Sequence, residues 1–187
     1  FVAGMFASIA CGMGALPLAI SGLRVEKRVG LGYGFAGGLM FSASVYNLIL
    51  PGLSMGAADG ATGKIFLILT GIISGSAFLW LVNRSLTRER LQRSVLRRLG
   101  GRRESLIFIA MSLHSVPEGV AVGVGYASSQ FVPDIPHLGG YIALAIAIHN
   151  IPEGLAVAIP MRANGATIPK CFTAAFLTSL PQPLAAV

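Results

Sequence analysis

Charge is what this sequence has least of. Of its 187 residues 11% are charged and 54% apolar, whereas soluble domains carry about a quarter charged residues. A water-soluble protein with that balance would lack the polar surface to cover itself, so the chain belongs in a bilayer. Cysteine is scarce too. Cys11 and Cys171 sit apart in apolar sequence without CxxC spacing, which excludes a disulfide framework and reads as small buried packing residues. There is no Gly-rich phosphate loop, so ATP-driven transport by this chain has no support. Nothing resembles a cleavable signal peptide, because the first positive charge, Arg24, follows the first apolar segment instead of preceding it.

The positive charge that is present is unevenly placed. Eight of the 14 Lys/Arg fall between Arg84 and Arg103, with no aromatic residue interleaved. Nucleic-acid binding asks for a basic face on a folded module. Here the basic run, 84–104, lies between two long apolar stretches and reads as a cytoplasmic loop. Nucleic acid is excluded as a partner, and the bilayer takes its place.

A spanning helix needs about 20 mostly apolar residues, and six candidates occur, at about 1–22, 31–52, 65–83, 105–126, 140–161 and 171–187. The expected fold is an all-α integral membrane protein, a polytopic helical bundle with one transmembrane domain over 1–187. The connections 23–30, 84–104 and 162–170 hold 13 of the 14 positive charges, and the opposite connections hold only Lys64. Positive loops stay inside, so the amino terminus is expected outside. Glycines within the spans, such as Gly34, Gly37 and Gly38, read as close helix packing. On the second span Met40, Ser44 and Asn47 are pathway candidates; Met40 suits core packing better, and Asn47 is the best polar candidate near the outer end.

The chemistry concentrates in two places. Of seven acidic residues, Glu26, Asp59, Glu89, Glu104 and Asp134 lie in loops or at span ends, and Glu118 and Glu153 lie deep in spans. Of three histidines, His137 is in the outer loop, and His114 and His149 are deep. All four deep ionisable residues belong to two copies of one motif, His-x-x-Pro-Glu-Gly, at 114–119 and 149–154. A carboxylate at mid-bilayer costs a few kcal/mol unless it is paired or faces a cavity, so the duplicated pattern argues for a site.

Spacing says what kind. Residues at i and i+4 share a helix face, so each motif presents an imidazole beside a carboxylate. The fourth and fifth spans run in opposite directions and bring both motifs to one depth. Two nitrogens and two oxygens suit zinc and its neighbours, whereas magnesium and calcium prefer all-oxygen sites. Pro117 and Pro152 cannot donate to the carbonyls of Leu113 and Ile148, so each span should kink at ligand level. Kinked spans and inverted-repeat character at mid-depth mark transporter sites. Gly119 and Gly154 permit close packing or hinge movement. A haem held by the two histidines would leave both glutamates unexplained. A metalloprotease needs a carboxylate beside the first His, and that position is Ser115 or Asn150. The chain is not expected to be an enzyme. Ser115 and Asn150 point about 100° from their histidines and serve either a neighbouring subsite or interhelical bonding.

The sequences HSVPEG and HNIPEG resemble the signature of the ZIP (Zrt/Irt-like) metal transporters, in particular their bacterial branch. GFAGGLMFSASVYNLILPGL resembles that branch's second span and SLPQPLAA its sixth. The resemblance covers essentially the whole chain. It implies eight spans, hence two more beyond Val187, and an elevator-like movement that carries zinc, or iron, manganese or cadmium, towards the cytoplasm. By matching position it implies a main metal site at His114, Glu118, His149 and Glu153. A weaker second site would lie at Ser115, Asn150 and Gln182, bridged by the two glutamates. Ser115 is commonly Asn in the family and Gln182 commonly Glu in that branch, which weakens the second site here. The third connection holds no histidine, which argues against metal sensing there.

The expected function is therefore passage of a divalent metal, as substrate and with no prosthetic group, across a bacterial inner membrane. Homodimerisation is left open. The rivals are a membrane metal receptor or sensor that binds without translocating, and a proton relay using the same side chains.

Overall fold

The computed structural model describes residues 1–20, 25–50, 60–85, 101–128 and 137–187. Most of the basic connection, the tips of the outer connections and the side chain of Asn47 lie outside the described residues. Those described are almost wholly helical, and no strand occurs among them. The helices are α1 (Val2–Met13), α2 (Val25–Ser44), α3 (Gly60–Ser85), α4 (Arg102–Ser128), α5 (Leu138–Ala163), α6 (Ile168–Thr178) and α7 (Pro181–Ala185). A 3₁₀ turn over Leu16–Ala19 follows α1, and a π-turn over Val45–Ile49 extends α2.

Four stretches among the described residues are long and apolar enough to cross a membrane: Val2–Ala19, Ile65–Ser85, Arg102–Ser128 and Leu138–Ala163. They coincide with the first, third, fourth and fifth expected spans. The second is built as α2 with its π-turn. The sixth differs from a simple span, because it breaks at Ser179–Leu180 into α6 and the short α7. The cause is local: Pro181 has no N–H for the carbonyl of Leu177, and Pro183 none for that of Ser179. The latter carbonyl accepts instead from the Gln182 N–H at 3.0 Å and, from α1, from the buried Ser8 hydroxyl at 2.7 Å.

Helix α5 is the axis of the bundle, packing against α1, α2, α4 and α6, while α7 is wedged between α1 and α4. Glycines set these crossings. A Cβ on Gly154 would lie 1.7 Å from the carbonyl oxygen of Cys11, so α1 and α5 meet backbone to backbone there. The core gathers Cys11, Val157, Ala158, Met161, Cys171 and Ala175 from α1, α5 and α6. Both cysteines are buried and free, as packing residues. Met40 of α2 packs against this core. Helix α3 stands apart: it touches α4 lightly and exposes Ile65, Phe66, Leu67, Ile73 and Trp80, an apolar surface suited to lipid.

Both motif helices continue through their prolines, so Pro117 and Pro152 each remove one backbone donor without ending the helix.

Candidate metal centre

The two motifs meet where α4 and α5 cross. One ligand atom from each of His114, Glu118, His149 and Glu153 can be chosen so that all lie within 4.8 Å of one another. The carboxylate of Glu153 is the hub, its Oε1 standing 3.1 Å from His114 Nε2 and 3.0 Å from His149 Nε2. Glu118 Oε1 stands further off, 3.5 Å from His114 Nε2 and 3.9 Å from His149 Nε2. The imidazole rings are tilted by 56° with centroids 6.4 Å apart, so they face a common point without stacking.

Burial is graded across the four. Glu153 is 1% exposed, Glu118 12%, His149 25% and His114 41%. Neither oxygen of Glu153 has a hydrogen-bond partner apart from its contacts with the imidazoles. A buried carboxylate left in that state calls for a cation or a proton. Two neutral imidazole nitrogens and two carboxylates supply both the charge and the mixed N/O donors that zinc and neighbouring divalent metals take. The donor set fits such an ion as cargo.

The flanking residues take different parts. Ser115 is buried, but its hydroxyl donates to the carbonyl of Met111 on its own helix at 3.0 Å. Asn150 and Gln182 are fully buried and bonded to each other: Asn150 Nδ2 donates to Gln182 Oε1 at 2.9 Å. Asn150 Nδ2 also donates to the carbonyl of Ala7 at 2.9 Å, and Gln182 Nε2 donates to Glu118 Oε2. The centre is thus tied to α1 and α7 as well as to its own two helices. Ser44 is half-buried on α2, and His137 is exposed at the start of α5.

Two contributions escaped sequence reasoning. The Ala7 carbonyl joins the network through its backbone, and no side-chain pattern could reveal it. Glu104, placed by sequence at a span end, is 8% exposed and accepts a hydrogen bond from Asn164 Nδ2 at 2.7 Å. Its position at the start of a helix hid this burial, since its partner lies far along the chain.

Membrane-crossing helices with a His/Glu cluster of metal-ligand type inside their bundle point to the class of polytopic metal-handling membrane proteins. Comparison with known proteins makes this specific. The family described as ZIP Zinc transporter matches residues 99–187, the part that holds both motifs. The chain is 32% identical over 190 residues to the zinc transporter GufA of Myxococcus xanthus, covering 100% of this chain and 73% of that protein. It is 34% identical over 180 residues to a putative zinc transporter of Arabidopsis thaliana, covering 95% of this chain and 27% of the other. The chain belongs to the ZIP family, and it is a divalent-metal transporter and not an enzyme.

Proposed function

We propose that the protein carries zinc, with iron, manganese and cadmium as chemically adjacent cargo, towards the cytoplasm of a bacterial cell. The ion is held by His114, Glu118, His149 and Glu153. The observation that supports this most is the buried Glu153 carboxylate, which has two imidazoles at about hydrogen-bond distance and no other partner. Such a group is costly in a membrane unless a cation completes it.

Alternating access of the elevator kind is favoured by how the helices group. Helices α1, α4, α5, α6 and α7 pack on one another around the centre, whereas α2 lies along α5 and α3 barely joins. The first group has the makings of a unit that moves with its ion. The Lys/Arg distribution supports cytoplasmic basic connections and an outer amino terminus.

The test is zinc and cadmium uptake into proteoliposomes, with Glu118→Ala and Glu153→Ala as controls. Saturable uptake that both substitutions abolish is the expected result. Metal binding without uptake would point to a receptor instead, and activity that needs no metal would point to a proton relay.

A further inference from the structure

We infer that Gln182 and Asn150 are positioning residues that hold Glu118 to a single ligand oxygen, and thereby bias the centre towards four-coordinate cations and against those seeking more oxygens. The inference rests on the transport-site reading above and sharpens it to a choice among cargo ions.

The backbone of Gln182 has no freedom to drift. Pro181 and Pro183 flank it at the start of α7, and a Cβ on Gly119 would come 2.4 Å from its carbonyl oxygen. On the other side, a Cβ on Gly4 would come 2.7 Å from Pro183 Cα. The side chain is equally constrained. Its oxygen accepts from Asn150 Nδ2 at 2.9 Å, and Asn150 is itself anchored to the Ala7 carbonyl. The Gln182 amide nitrogen donates to Glu118 Oε2 and, at a longer 3.4 Å, to Asn150 Oδ1. All of this is sealed from solvent, Gln182 and Asn150 both being 0% exposed.

A carboxylate with one oxygen fastened to a fixed donor cannot rotate freely about its last bond. Glu118 accordingly turns Oε1 to the histidines and keeps Oε2 on Gln182. Glu153 has no such tether. The donors offered are two imidazole nitrogens, one oxygen from Glu118, and one or both oxygens of Glu153. That matches zinc, which is commonly four-coordinate with N and O ligands. It serves manganese poorly, because that ion favours octahedral oxygen surroundings. Residues behind the ligands tune metal affinity by roughly 10–100-fold in other sites.

Cobalt(II) bound to the purified full-length protein reads the coordination number directly, since four-coordinate Co2+ absorbs strongly in the visible and six-coordinate Co2+ weakly. Gln182→Met keeps the buried volume and removes the donor. The expected result is intense bands in the native protein and weak bands in Gln182→Met with Co2+ still bound. Alongside, the ratio of Zn2+ to Mn2+ affinity should fall by roughly tenfold. Asn150→Ala should move both readouts in the same direction by less, and it carries the test if Gln182→Met fails to elute as a folded protein. An unchanged spectrum and an unchanged ratio in the folded variant overturn the inference while leaving the metal site standing. A native protein that binds no Co2+ overturns both.

Discussion

In the first motif Ser115 donates to Met111 on its own helix, while in the second Asn150 reaches across to Ala7 on α1 and Gln182 on α7. The same contrast runs through the ligands. Glu153 and His149 are 1% and 25% exposed, against 12% and 41% for Glu118 and His114. The reason lies one level up, in packing. Helix α5 is surrounded by α1, α2, α4 and α6, whereas α4 carries the first motif on a more open flank. Two motifs that read alike are therefore an anchor and a partner: the second is set into the core, and the first closes on it.

The largest effect expected from this asymmetry is on metal affinity. A structural zinc site gains roughly 10–16 kcal/mol from about four ligands, so losing one ligand should cost of the order of a hundredfold. Glu153→Ala should exceed that, since Oε1 of Glu153 serves both imidazoles. Glu118→Ala should fall short of it, its Oε1 standing further from both. Calorimetric zinc titration of the two variants checks the order, and equal losses would break the comparison.

Acid should act on both motifs together. Metal-bound imidazoles must be neutral and the carboxylates ionised, so protons compete with the ion. Protonation of either kind of ligand displaces the ion, which places the loss on the acid side. Apparent zinc affinity should fall by more than about tenfold between pH 7 and pH 5. A flat profile over that range would count against imidazole ligation.

Next in size is an effect on stability at the helix crossings. A Cβ on Gly154 meets the Cys11 carbonyl, a backbone atom that cannot swing aside. Gly154→Ala should cost about 1–3 kcal/mol by overpacking. Gly71→Ala on α3 has nothing within 4 Å of the new Cβ and should be neutral or slightly stabilising. Thermal melting followed by gel filtration in detergent would order the two, and a Gly154→Ala protein as stable as Gly71→Ala would show that the crossing is looser than drawn.

These comparisons also mark how far the sequence could be read. The span positions, the His/Glu pairs and the depth they share follow from hydropathy and from i, i+4 spacing, which are local rules. The break at Ser179–Leu180 was foreshadowed by Pro181 and Pro183, but the apolar count outweighed them, because a window average does not register a missing N–H. The bond from Ser8 to the Ser179 carbonyl and the tie from Gln182 to Glu118 join residues far apart in sequence. Only tertiary packing brings such pairs together. The difference between the motifs was invisible for the same reason, since it depends on what surrounds each helix.

The smallest effect expected separates the residues that follow each histidine. Ser115→Ala removes a hydroxyl whose bond is to its own helix, and such back-bonding contributes little to helix stability. Asn150→Ala leaves the Ala7 carbonyl and Gln182 Oε1 buried without that donor. Interhelical hydrogen bonds in membranes average about 0.6 kcal/mol, while a stranded buried acceptor costs about 1–3 kcal/mol. The loss at Asn150 should fall near the lower end of the second range, because α1 and α7 remain packed through their own contacts. A side-by-side unfolding titration would show Asn150→Ala shifted and Ser115→Ala superimposed on the native protein. Equal shifts would mean that the second motif is no better anchored than the first, and the asymmetry would then reside in the glutamates and not in the helices that carry them.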